Sequence, residues 1–404
     1  MIHSQFPMPV PHSKPKEVQR FEALDGLRGV AALMVVLLHT GVQSNIFYLP
    51  IVRHSDLFVE LFFVLSGFVI TFTYGLKIDG CPTLKDFFRR RFARLWPLHA
   101  TMLLLFVSLD ALRYAMNAAG VLRVDEKFFR AMTDPARVGD FMAQLGLVHA
   151  LSNKTSMFWN FPSWSISAEM MAYLSFGLIW AFCRGRWRDA LAAVFMIAAT
   201  LVVTGVVKLD FGAAFGHSIF RAICGFFVGY WTQRIWRALP IRRLRAATAV
   251  EVTTVAAVFA LVYVGDQTSV RIVAPFAFGA VVLVFALGGG AVSRLLRTPA
   301  FQALGTWSYG IYMTHIFVLA LLGTATRIAQ RILGTPLISS SHSAVSDNDS
   351  LIDFGNPLLM DAVTILIVFL VIFVARFAHR HIEMPGQRIA LAGFKSKQKP
   401  NPDQ

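Results

Sequence analysis

Long apolar runs recur along the chain, each bounded by a short polar cluster. Ten of them lie near 24–42, 57–76, 90–112, 164–183, 189–208, 213–233, 246–264, 271–288, 304–325 and 358–378. A helix needs about 20 apolar residues to cross the hydrocarbon core of a bilayer, and each run meets that length. The pattern predicts an all-α polytopic membrane protein with about ten core transmembrane helices. No internal repeat and no appended soluble domain interrupts it.

The polar segments between the runs set the expected orientation. With the N-terminus placed inside, the inner segments carry 25 Lys and Arg and the outer segments 11, the other two of the 38 (Arg28 and Arg221) falling within runs. That bias is the positive-inside signature, and it predicts an even span count with both termini cytoplasmic. The expected organisation is a cytoplasmic tail over 1–22, a transmembrane domain over 23–388 and a basic cytoplasmic tail over 389–404, disordered from about 390. The N-terminal residues are Pro-rich and polar and lack the apolar core of a signal peptide, so the first span is expected to act as an uncleaved anchor. Two outer segments are long. Residues 113–163 hold a short amphipathic stretch near 137–151, and residues 326–357, rich in Ser, Asn and Asp, read as a mobile loop.

Composition agrees with a bilayer setting. The chain has 404 residues, 56% of them hydrophobic and 15% charged, with 36 Phe and 8 Trp; the mean hydropathy is +0.58. The net charge of +15 is a poor nucleic-acid signal, because the basic residues collect in clusters between apolar spans. The three cysteines, Cys81, Cys183 and Cys224, are scattered and odd in number, which argues against a disulfide framework or a zinc site. No metal site is expected.

The informative residues are polar groups inside the runs, because in a membrane such groups are costly and usually line a site or pathway. Arg28 and His39 share nearly one face of the first helix, roughly 16 Å apart along its axis at about 1.5 Å per residue. Arg28 can also be read as snorkelling to the inner surface, and His39 as a hydrogen-bonded structural residue. The cluster Arg89-Arg90-Arg91-Phe92-Ala93-Arg94 opens the third span. Arg91 and Arg94 are neighbours on its surface, suited to phosphate, although lipid headgroups are the plainer partner. Trp164-Ser165-Ile166-Ser167-Ala168-Glu169 heads the fourth span, with Tyr173 one turn beyond Glu169. A carboxylate there needs a partner unless it is solvated at the helix start, and His39 is the expected one. Ser308, Tyr312 and His315 form a polar stripe, and Arg221 lies in the middle of the sixth span. His379 and His381 are two residues apart and point in different directions on a helix.

These segments together resemble the acyltransferase family 3 membrane proteins. The marks are Leu24-Asp25-Gly26-Leu27-Arg28-Gly29 with His39, then Phe62-Phe63-Val64-Leu65-Ser66-Gly67-Phe68, the Arg90–Pro97 string and the Trp164–Glu169 string. Ser308-Tyr309-Gly310-Ile311-Tyr312-Met313-Thr314-His315 and Ile382-Glu383-Met384-Pro385 complete the set. One string is weak; six in the family's order, over residues 20–388, are strong. Ala168 and His99 depart from residues common in the family, at positions that do not touch the expected chemistry. Some members carry a fused hydrolase-like domain; none is expected here, so a second catalytic step would need another protein.

The resemblance implies acyl transfer, with acetyl the default group, from cytoplasmic acyl-CoA to a hydroxyl of an extracytoplasmic glycan or lipid-linked saccharide. It implies a bacterial inner-membrane location, with acyl-CoA as co-substrate and no permanently bound cofactor. Its motifs map the donor site onto Arg28, Arg91 and Arg94. His39 is then the expected general base and Glu169 its orienting or proton-accepting partner. Asp25, Ser66, Trp164, Ser167, Tyr173, Arg221, Ser308, Tyr312 and His315 are further site candidates, with Tyr312 or Arg221 stabilising the oxyanion. A covalent acyl-enzyme on His39 or a serine stays open. The competing class is a proton-coupled small-molecule transporter, which also carries intramembrane charges but often shows repeated halves.

Overall fold

The computed structural model describes residues 20–395 except 76, 79, 122–135, 152–158, 208–215, 241–243, 266 and 344–345. Ten long helices correspond to the ten apolar runs: α1 (Glu22–His39), α4 (Phe58–Tyr74), α5 (Cys81–Ala118), α7 (Ser163–Phe182), α8 (Arg186–Val203), α9 (Gly216–Ala238), α10 (Ala247–Val264), α11 (Thr268–Leu287), α13 (Pro299–Leu333) and α14 (Pro357–Ala378). Short helices α2 (Asn45–Tyr48), α3 (Pro50–Arg53), α6 (Ala136–Leu145), α12 (Ala291–Leu296) and α15 (Met384–Lys395) lie between or beyond them. Among the described residues, seven helices are long and apolar enough to cross a membrane; α1, α8 and α9 are the long ones outside that set. At 1.5 Å per residue α5 and α13 run about 57 and 52 Å, well beyond a hydrocarbon core of about 30 Å. Both therefore exceed the spans predicted for them.

Two glycine crossings set the spacing of the bundle. α1 packs on α13 at Gly29 and Gly305, where an added Cβ would meet the Leu304 carbonyl carbon at 2.7 Å and Asp25 O at 2.2 Å. α4 packs on α9 at Gly67 and Gly229, where it would meet Phe226 O at 1.9 Å and Val64 O at 2.0 Å. Small residues let helix backbones touch, which favours association where lipid offers no hydrophobic drive. Around the second crossing Phe68, Phe176, Phe226 and Phe227 are fully buried.

Three expectations change. The described residues 136–151 between α5 and α7 fold back against the bundle: Trp96 Nε1 donates to Leu145 O at 2.9 Å and His99 Nε2 to Gln144 O at 2.8 Å. These bonds set the amphipathic stretch against protein. Bonds from interior side chains satisfy its irregular backbone, as a low-dielectric setting requires. The Ser/Asn/Asp-rich segment also differs from the expected mobile loop: β1 (Ile338–Ser343) pairs antiparallel with β2 (Ser346–Ile352). Its base is pinned, with Ile352 N donating to Gly41 O and Gln43 N to Ile352 O. The polar composition concealed the apolar ends Ile338, Leu351 and Ile352. Finally, the chain stays helical to Lys395, past the expected boundary at 388, with Gly386 against Pro97. At the other end Phe21, placed in the tail, packs edge-on to Phe68, Phe72 and Trp236. Residues 1–19 and 396–404, assigned to the tails, lie outside the described residues.

Candidate functional site

Two of the cavities among the described residues gather the predicted polar groups. The first, about 860 Å³ of open space, is lined by Arg28 of α1, Ser66 of α4, Arg91 and Arg94 of α5, Glu169 and Tyr173 of α7, and Ser308, Tyr309 and Tyr312 of α13. Three guanidinium groups thus face one carboxylate. Arg28 Nη1 is 3.6 Å from Asp25 Oδ1, and Arg20 Nε donates to Asp25 Oδ2 at 2.9 Å. Arg91 lies over the Tyr74 ring at 5.2 Å and donates to its hydroxyl at 3.2 Å. Glu169 is taken up locally: Tyr173 OH donates to Glu169 Oε1 at 2.5 Å. That spends the phenol's one proton, so Ser66 is the donor in its 2.9 Å bond to Tyr173. The cavity keeps a surplus of forked donors, the equipment for a phosphorylated ligand.

The second cavity, about 660 Å³ of open space, is lined by Val35 and His39 of α1, Asp56 and Val59, Phe161, Pro162 and Trp164, Ser218 and Arg221 of α9, and Tyr312. His39 Nδ1 is 2.8 Å from Val35 O. A carbonyl only accepts, so Nδ1 carries the proton and Nε2 keeps its lone pair, the tautomer a general base requires. Arg221 Nε donates to Glu60 Oε1 at 2.6 Å and its guanidinium lies 5.4 Å from the Trp164 ring centre. Arg271 Nη1 donates to Asp56 Oδ2 at 2.9 Å.

Tyr312 and Val59 line both cavities. The Tyr312 and Ser165 hydroxyls are 2.8 Å apart, and each reaches Pro162 O, at 3.2 and 3.0 Å. Tyr312, Ser165 and Pro162 therefore form a thin polar partition between an arginine-lined chamber and a histidine-lined one.

The structure groups four of the predicted residues differently from the expectation. Arg28, Arg91, Arg94, Ser66, Tyr173, Ser308 and Tyr312 do meet in one cavity, and His39, Trp164 and Arg221 in the other. Glu169, expected beside His39, faces the arginines instead. It lies five residues beyond Trp164, roughly 140° around α7 at 100° per residue, so the two point into different chambers. Ser167 lines neither cavity: its hydroxyl accepts from Ala150 N and donates to Leu147 O, both at 2.9 Å, holding the folded-back segment. Asp25 stands behind Arg28. His315 is fully buried beside His39, with ring centres 5.2 Å apart. Sequence reasoning missed Asp56 and Glu60. Glu60, a carboxylate within the second apolar run, carried the same signal that singled out Arg221.

Comparisons with known proteins bear on this geometry. The profile of a family described as an acyltransferase domain matches residues 21–377. Protein 2 in the picA locus of Rhizobium radiobacter is 31% identical over 203 residues, 49% of this chain and 97% of that protein. The acyltransferase MdmB of Streptomyces mycarofaciens is 26% identical over 360 residues, 80% of this chain and 83% of that protein. A Staphylococcus aureus (strain COL) protein provisionally named an O-acetyltransferase is 27% identical over 172 residues, 41% of this chain and 26% of that protein. No solved structure matches.

Proposed function

This chain belongs to the acyltransferase family whose profile spans residues 21–377, and from that premise we propose that it moves an acyl group from cytoplasmic acyl-CoA to a hydroxyl of an extracytoplasmic glycan or glycolipid. Acetyl is the default group, and the membrane is the bacterial cytoplasmic one. The observation that carries the reading is the pair of chambers meeting at Tyr312.

Coenzyme A phosphates bind Arg91, Arg94 and Arg28 in the first chamber, where charge-assisted forked bonds suit them. The pantetheine arm follows the bundle axis, covering the roughly 16 Å from the level of Arg28 to that of His39. The thioester carbonyl then lies at the partition, and the acceptor hydroxyl enters the second chamber. His39 Nε2 takes the hydroxyl proton as the oxygen attacks the carbonyl carbon. The Tyr312 hydroxyl donates to the developing oxyanion. The C–S bond breaks, and the proton on His39 passes to the thiolate, releasing coenzyme A as a thiol. Glu169 and Tyr173, set among the arginines, position the donor rather than the base.

The test supplies purified protein with acetyl-CoA and a lipid-linked oligosaccharide pool, and follows free thiol and acetylated product together. Wild type should yield both in equal amounts, and His39→Ala neither, while still eluting as folded protein. Acetyl transfer by His39→Ala at the wild-type rate would remove His39 from the mechanism. Absence of transfer by wild type would remove the acyl-CoA reading.

A further inference from the structure

His315 is 0% exposed on α13. Its Nδ1 is 2.7 Å from Tyr312 O, so Nδ1 holds the proton and Nε2 the lone pair. That Nε2 has no hydrogen-bond partner among the described residues. A buried acceptor without a donor loses its solvation with nothing in return, so such groups call for an explanation. The ring lies 5.2 Å from the His39 ring, tilted 50° to it, and His39 is in the same tautomer because Val35 O occupies its Nδ1–H. Two neutral imidazoles thus stand together, each with its proton directed to its own helix and its Nε2 uncommitted. Neither can donate to the other in this state.

The situation changes once His39 takes a proton. Its Nε2 becomes a donor, and His315 Nε2 is an unused acceptor close by. Resting on the acyl-transfer reading above, we infer that His315 is a positioning residue whose Nε2 accepts a hydrogen bond from protonated His39, directly or through one water. The bond holds the proton and the ring in place while the tetrahedral intermediate lives. The balance is closed: the proton leaves the acceptor hydroxyl for His39 and leaves His39 for the coenzyme A thiolate, and His315 is unchanged. The orphaned lone pair is then an acceptor held ready for one stage of the cycle.

Two amide substitutions separate the roles of the two nitrogens. His315→Asn keeps a donor near Nδ1 for Tyr312 O and removes the acceptor at Nε2. His315→Gln keeps an acceptor near Nε2. Both are purified, checked for monodisperse elution and melting temperature, and assayed with acetyl-CoA and the lipid-linked oligosaccharide pool. His315→Asn should lose about tenfold or more in kcat, the scale of a weakened general base, with KM for acetyl-CoA within about twofold of wild type. His315→Gln should keep kcat within about threefold. Full kcat in His315→Asn, or equal losses in both variants, would overturn the inference while leaving His39 as base. A wild-type protein inactive with acetyl-CoA would remove the parent reading and this one with it.

Discussion

Arg221→Leu is the substitution whose cost can be worked furthest. Glu60 is 2% exposed and one of its oxygens bonds Arg221 Nε at 2.6 Å; its other oxygen has no partner among the described residues. Removing the guanidinium leaves a buried carboxylate without its counter-ion, a change that costs about 3–5 kcal/mol in well-buried pairs. Protonation limits the penalty: neutralising an ordinary glutamate at pH 7 costs about 3.7 kcal/mol, from 1.36 kcal/mol for each of about 2.7 pH units. Loss of the Arg221 contact with Trp164 adds about 0.5–2 kcal/mol. The expected destabilisation is therefore about 3.5–5.7 kcal/mol, at least two decades in the folded-to-unfolded ratio. The discriminating variant is the double one, Glu60→Gln with Arg221→Leu. It removes the stranded charge and should recover most of the loss, because replacing both members of a buried pair is often neutral. Melting in detergent, followed by loss of the monodisperse peak, should rank wild type and the double variant together above Arg221→Leu. A double variant less stable than Arg221→Leu would refute the argument, as would an Arg221→Leu protein that melts with wild type.

Other expectations follow from single contacts. Arg91→Ala and Arg94→Ala should each raise KM for acetyl-CoA about 10- to 100-fold with smaller changes in kcat, the worth of one charge-assisted bond; unchanged KM in both would remove them from the donor site. Tyr312→Phe keeps the ring in the partition and loses the hydroxyl, so kcat should fall about 100-fold or more at constant KM if it serves the oxyanion. Ser167→Ala strips a partner from Ala150 N and should cost about 1–3 kcal/mol of thermal stability with kcat per folded molecule retained; a kcat loss without a stability loss would return Ser167 to the chemistry.

The helices were legible in the sequence because lipid imposes one rule, a long apolar run, and all ten runs became helices. Which residues share a chamber was less legible, because it depends on helix phase and on partners far away in the chain. Arg28 and His39 share a helix face yet open into different chambers, whereas Arg91 with Arg94 could be read from spacing within one helix. Glu169 could not: its distance from Trp164 on α7 turns it toward the arginines. Glu60 escaped notice as one carboxylate in an apolar run, and only the fold brings it to Arg221, 161 residues away. The hairpin at 338–352 was hidden by its composition, since main-chain bonds to Gly41 and Gln43 hold it and leave no trace in the side-chain pattern.

The central claim is that one route joins a donor chamber to an acceptor chamber across Tyr312, with His39 at the acceptor end. Vesicles carrying the protein in one orientation test it most directly: radiolabelled acetyl-CoA is added on the side of Arg91 and Arg94, and the oligosaccharide acceptor is sealed on the other. The account predicts labelled acceptor inside wild-type vesicles, none with His39→Ala, and coenzyme A released on the donor side. Transfer only when donor and acceptor share a side, or equal labelling by His39→Ala, would contradict it.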